Sequence, residues 1–148
     1  MDGTAIVATA VGTILGVVST LAADQVRWRR ERSERDRDAL RAAFTLYLTA
    51  VTQARDAFAR AGPAPDRVGR GHLAMGEHGV YSAQQQVELV APQAVADMAG
   101  GVTLAVLDFY DAVTAGHPPD STEYVQAWRA VRDARRALLG AMRAALRS

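Results

Sequence analysis

At 148 residues and a formal net charge of +1, the chain has room for one compact domain and carries no global field that would draw it to nucleic acid. It has no cysteine, which excludes disulfides, a thiolate nucleophile and a Cys-ligated metal, and which suits a reducing cytoplasm. All 17 basic residues are Arg, a bias that looks like that of a high-GC genome and to which no function attaches.

Residues Gly3 to Ala23 carry no charged side chain. As a helix this run spans about 31 Å, the hydrocarbon thickness of a bilayer, so residues 1–23 are expected to form a transmembrane anchor with the lipid bilayer as partner. The run is moderately apolar, because Gly, Thr, Ser and Ala dilute its Ile, Val and Leu. A cleaved signal peptide would place its positive charges first, whereas here Asp2 precedes the run and the arginines follow it. An apolar helix buried within an oligomer or filament is the other rival. Arg27, Arg29, Arg30 and Arg32 on the C-terminal flank predict, by the positive-inside rule, an outside N-terminus and a cytoplasmic remainder. Trp28 among them suits the headgroup layer, so these five residues form the expected membrane interface, where the arginines would bind lipid phosphates or simply stay solvated. Within the run, Ala8, Gly12, Gly16 and Thr20 recur every four residues. They form one small-residue stripe along which two helix backbones can approach, and they favour a homo-oligomer. The bland alternative is that Gly is common in membrane helices.

From Asp24 to Arg41 seven Arg face five acids with no Pro or Gly. Glu31 with Arg35, Glu34 with Arg37 and Asp38 with Arg41 have helical spacing and opposite sign, which predicts that residues 24–39 continue the helix as a solvated, coiled-coil-like stalk. Leu40, Phe44, Tyr47, Val51, Ala54 and Phe58 then form the apolar face of an amphipathic helix, ended by Gly62-Pro63. Five Gly and two Pro over residues 62–79 predict a long loop. Residues 82–91 read as a short helix, although Val87 and Leu89 alternate as a strand would. Pro92 opens the next helix, whose apolar face is Val95, Met98, Val102, Ala105, Phe109 and Val113, with Asp97, Asp108 and Asp111 opposite. Gly100-Gly101 either weakens that helix or admits a close neighbour. After Gly116-His117-Pro118-Pro119, Asp120 or Ser121 caps a last helix, Glu123 completing a capping box if Asp120 is the Ncap. Tyr124, Trp128, Val131, Leu138, Leu139, Met142 and Leu146 supply its buried face. The fold class that follows is all-α: an N-terminal transmembrane helix running through the stalk into an antiparallel bundle of three or four helices over residues 40–148.

Arg129, Arg132, Arg136, Arg143 and Arg147 fall within about 60° of one another on the last helix, a basic stripe. It would meet an acidic partner protein or the anionic leaflet before it met nucleic acid, for which interleaved aromatics are missing, and a solvated face is the plainer reading. Arg135 lies inside the apolar stripe and must pair with a carboxylate or reach out to water. His72, Glu77, His78 and His117 lack metal-site spacing, and the Asp108/Asp111 pair lacks the Glu-x-x-His repeats of helical carboxylate sites. Phosphate-loop, nucleophile-elbow and His-Glu-x-x-His signatures are absent. The sequence therefore predicts no catalytic, cofactor or metal residue and no enzyme.

The stretches Arg27-Trp-Arg-Arg-Glu-Arg-Ser-Glu-Arg-Asp-Arg-Asp, Phe44-Thr-Leu-Tyr-Leu, Val87-Glu-Leu-Val-Ala-Pro-Gln-Ala-Val and Trp128-Arg-Ala-Val-Arg-Asp-Ala-Arg-Arg-Ala-Leu-Leu resemble a group of small single-pass membrane-anchored helical proteins of high-GC bacteria. The resemblance implies this layout and no activity. The expected function is a membrane-anchored scaffold or adaptor that self-associates through the anchor and binds a partner protein with its bundle. The alternatives are a holin-like phage permeabilising protein and a ligand-binding helical bundle.

Overall fold

The computed structural model describes the backbone of residues 3–63 and 69–147, with side chains from Arg27 onward except at Arg29, Arg30 and the residues 64–68. Among the described residues there are five helices and no strand: α1 (Gly3–Ala59), α2 (Arg70–Glu77), α3 (Val80–Val90), α4 (Gln93–Thr114) and α5 (Thr122–Ala145). The chain divides into two compact units, Met1–Asp38 and Ala39–Ser148.

In the first unit the stalk residues Glu31 to Asp38 are all exposed, as the dense alternation of charge dictates. Arg27 Nε pairs with Glu31 Oε1 one turn on, at 3.1 Å. Among the described residues no helix is long and apolar enough to cross a membrane. The transmembrane anchor expected over residues 1–23 is thus not one of the elements established here, because its side chains lie outside the described set; the helical backbone from Gly3 is what stands.

The second unit is a helical bundle. Its core draws Phe44, Tyr47, Val51, Ala54 and Phe58 from α1, Val95, Ala99, Val102, Val106, Phe109 and Val113 from α4, and Val131, Leu138 and Met142 from α5, with Met75 and Val80, Ala83 and Val87 from the short helices. Each large apolar side chain so buried contributes on the order of 1.5–3 kcal/mol, and together these burials oppose the chain entropy. α4 packs against α5, α3 and α2, and its buried residues cover about half of its circumference. Met98, expected in its apolar face, is the exception at 42% exposed. Gly100-Gly101 interrupts nothing, since α4 runs through both.

The expected loop over residues 62–79 needs correction, because Arg70–Glu77 within it is helix α2. The glycines there are punctuation rather than disorder. Gly69 and Gly79 take φ of 82° and 69° at the two ends of the segment, a left-handed conformation that glycine adopts without strain. Gly71 is buried against α4, where a Cβ would sit 2.8 Å from Tyr110 Cδ1. Residues 82–91 belong to helix α3: Val80, Ala83 and Val87 are buried while Leu89 is 82% exposed, so period 3.6 prevails over the local alternation. Pro92 is the N-cap of α4, its carbonyl accepting from Val95 N and Ala96 N. Ser121, not Asp120, caps α5, its Oγ accepting from Tyr124 N at 3.2 Å; Glu123 instead lies 4.0 Å from His117 Nδ1.

Candidate interaction surfaces

On α5 all five arginines of the predicted basic stripe, Arg129, Arg132, Arg136, Arg143 and Arg147, are exposed. The i, i+3, i+4 spacing that buries Val131, Leu138 and Met142 leaves the opposite arc to them. Arg132 Nε lies 3.5 Å from Asp133 Oδ1, an exposed pair that contributes little. On α4, Asp97, Asp108 and Asp111 are likewise exposed, and Asp97 accepts from Gln93 Nε2 at 2.8 Å. Arg135 is half-buried with its Nε buried and unpartnered among the described residues. The stem and Nε thus lie in the apolar face, with no carboxylate bonded to Nε.

Where α5 begins, an open cleft of about 310 Å³ is lined by Ala59, Pro119, Tyr124, Val125 and Trp128. Its aromatic wall is braced from behind: the Phe109 ring contacts Tyr124 edge-on at 5.3 Å and Trp128 at 5.4 Å between centroids. Arg55 of α1 lies over the indole, 5.3 Å from its centroid to Cζ. Asp56 Oδ1 accepts from both Nε and Nη2 of Arg55, at 2.9 and 2.5 Å. The guanidinium is thereby paired and held over the ring rather than presented as a free charge.

A buried polar chain crosses the core. Tyr47 Oη, fully buried, donates to the Ala99 carbonyl at 2.6 Å and lies 3.0 Å from Thr103 Oγ1. Thr103 donates to Gln84 Oε1 at 2.7 Å, and Gln84 Nε2 donates to Glu88 Oε1 at 2.8 Å. Loss of hydration pushes the Tyr47 phenol up to about 12, outweighing the hydrogen bonds with Thr103, so it stays a neutral donor. The chain ties α1, α3 and α4 together; it contains no nucleophile paired with a base.

His72 Nδ1 meets Tyr81 Oη at 2.5 Å with the rings stacked, joining α2 to α3. Burial raises the Tyr81 phenol as well. Among the described residues no group of three or more His, Cys, Asp or Glu is placed to hold a metal ion.

Of the expected membrane-interface residues, Arg27, Trp28 and Arg32 are exposed, Trp28 at 76%; Arg29 and Arg30 have side chains outside the described set. So do Ala8, Gly12, Gly16 and Thr20 of the expected helix seam. Sequence reasoning missed the Arg55–Trp128 stack and the Tyr47 chain. Arg55 and Trp128 are 73 positions apart and meet only once the bundle is closed; Tyr47 carries a local hint, a phenol in an otherwise hydrocarbon stripe that must find a partner. Comparison with protein-family models, with curated proteins and with solved structures gave no match.

Proposed function

We propose that this chain is a single-pass membrane-anchored adaptor. Residues 1–23 serve as the anchor with the N-terminus outside, Ala8, Gly12, Gly16 and Thr20 form its self-association seam, and the helical bundle faces the cytoplasm and binds a partner protein. The observation that supports this most is the extent of α1. One helix begins in the uncharged run at Gly3 and ends among the bundle's own core residues at Ala59, so no Pro- or Gly-rich linker separates the two. Arg27 and Trp28, exposed where the charge begins, suit an interface on the cytoplasmic side. Anchoring raises the effective concentration of the bundle for any membrane-bound partner, and the open cleft beside Trp128 is an apolar surface on which such a partner finds purchase.

Alkaline carbonate extraction of native membranes is the direct test. The full chain stays with the bilayer and its C-terminal region is digested by protease only after the membrane is opened to the cytoplasmic face. Release into the carbonate supernatant sinks the anchor, and protection of the N-terminus instead of the C-terminus inverts the topology.

A further inference from the structure

The acidic arc of α4 and the basic stripe of α5 mirror each other in register. Starting at Asp111 and moving back along α4, the exposed residues within one arc of about 60° are Asp108, Leu104, Asp97 and Gln93, three, seven, fourteen and eighteen positions away. Starting at Arg129 and moving forward along α5, the arginines Arg132, Arg136, Arg143 and, just past its end, Arg147 stand three, seven, fourteen and eighteen positions away. When an α4 is laid antiparallel on an α5, every member of the α4 arc meets an arginine: Asp111 with Arg129, Asp108 with Arg132, Leu104 with Arg136, Asp97 with Arg143, and the uncharged Gln93 with Arg147. Three are opposite-charge pairs. In a fourth, Leu104, 63% exposed, receives the aliphatic stem of Arg136. A parallel alignment keeps only two of the three charge pairs, Asp97 with Arg129 and Asp111 with Arg143, and sets Asp108 opposite Gly140.

A second feature falls at the same place. Gly101 and Gly140 lie in the interiors of α4 and α5 and are exposed, and a Cβ at either would meet nothing within 4 Å. Helix-interior glycine is unfavourable relative to alanine, and nothing in the protomer requires it at these two positions. In the antiparallel register they come within one residue of level, inside the contact, where bare backbone lets two helices approach closely.

Within one chain the two faces cannot satisfy each other, because α4 and α5 meet through their buried sides. We propose that a second copy of this chain occupies them: α4 of one protomer docks antiparallel on α5 of the next, a heterologous contact that repeats from copy to copy. Because α4 and α5 are antiparallel within each protomer, two such reversals leave neighbouring copies pointing the same way. That is the relation required of copies held in one bilayer from one side. The contact itself rests on α4 and α5 and not on the membrane reading.

The absence of native cysteine makes the register directly readable in the full-length protein. A Leu104→Cys chain is mixed with an Arg136→Cys chain, in membranes or mild detergent, and oxidised gently. Disulfide formation needs Cα atoms within about 7 Å, so this pair cross-links at least about tenfold faster than Leu104→Cys with Arg129→Cys, whose partners stand about 10 Å out of register. Adding Asp108→Arg/Asp111→Arg to the first chain, or Arg129→Asp/Arg132→Asp to the second, slows the Leu104–Arg136 cross-link about tenfold or more. Adding both restores it, which also shows both variants folded. Equal rates for the in-register and out-of-register pairs overturn the proposal, whatever the charge variants do. So does a basic stripe engaged by lipid instead: no register preference, with Arg129→Asp/Arg132→Asp abolishing retention on phosphatidylserine vesicles. Repeating the assay with Gly12→Ile/Gly16→Ile separates the two contacts, since failure of the anchor seam lowers total association and leaves the register preference intact.

Discussion

The Tyr47 hydroxyl donates to the Ala99 carbonyl oxygen across 2.6 Å, joining α1 to the middle of α4 inside an apolar core. Tyr47→Phe leaves that carbonyl lone pair short of a partner, while Thr103 keeps its bond to Gln84, at a cost of about 1–2 kcal/mol at neutral pH. The phenol also carries a pH signature. Its folded value, about 12, lies above the ordinary 10.0, so the unfolded chain loses this proton first. The stabilisation is therefore present in full below pH 10 and is lost as pH rises from 10 towards 12, amounting to about 2–3 kcal/mol. Urea midpoints measured between pH 8 and 11.5 should fall more steeply for the native chain than for Tyr47→Phe. Burial of Tyr81 leaves a residual slope in both; identical slopes refute the assignment to Tyr47.

Gly71 and Gly76 sit in the same short helix and predict opposite outcomes. A methyl at Gly71 lands 2.8 Å from Tyr110 Cδ1 and 3.3 Å from Leu107 Cδ2. The Tyr110 ring is pinned by Phe58, edge-on at 4.6 Å, and cannot yield cheaply. Gly71→Ala should cost about 1–3 kcal/mol by overpacking. Gly76 is exposed, and its added methyl would meet nothing within 4 Å, so Gly76→Ala should gain up to about 1 kcal/mol from helix propensity. Thermal unfolding of the two variants side by side decides it, and a neutral Gly71→Ala means that α2 does not press on α4.

Arg135 inverts the usual expectation for removing a charge. Its Nε is buried without a partner, and the side chain lies in the stripe of Val131, Leu138 and Met142. Arg135→Leu keeps the apolar packing and removes the desolvated nitrogen, so stability should stay within about 1 kcal/mol or rise. A drop in melting temperature of many degrees would show that a carboxylate pairs with it.

The helices of the bundle were legible because burial imposes the 3.6 period directly on side-chain type. The Phe44 to Phe58 stripe, the α4 stripe except Met98, and Val131, Leu138 and Met142 are the core, with Leu40, Tyr124 and Leu146 partly buried against it, whereas Trp128, expected in the buried face of α5, is 36% exposed. What misled was glycine. Its density over residues 62–79 reads as loop, yet Gly69 and Gly79 are helix ends and Gly71 is a contact point. Sequence holds no mark distinguishing a glycine that breaks a helix from one that lets it dock, because the difference resides in Tyr110, 39 positions away. The Arg55–Trp128 stack was invisible for the same reason. The stripe of α5 was legible residue by residue; its complement on α4 was visible as three acids, and the match between them emerged once both faces were known to be exposed.

The stack of Arg55 on Trp128 is open to spectroscopy because the chain has two tryptophans, Trp28 and Trp128. In a Trp28→Phe background Trp128 is the sole indole reporter. Its ring is held from one side by Phe109 and covered on its face by the guanidinium, itself fixed by Asp56. Arg55→Ala uncovers that face while leaving the Phe109 contact, so emission should move to longer wavelength and acrylamide quenching should increase. The loss of stability should be small, about 0.5–1 kcal/mol, because the Arg55 side chain is 23% exposed and water replaces part of the interaction. Arg55→Lys tests geometry against charge: an ammonium keeps the positive charge but cannot cover the ring with a planar group while donating the two hydrogen bonds that Arg55 gives to Asp56 Oδ1. Spectra for Arg55→Lys that match the native chain would mean that charge alone, and not the planar stack, shields the cleft's aromatic wall.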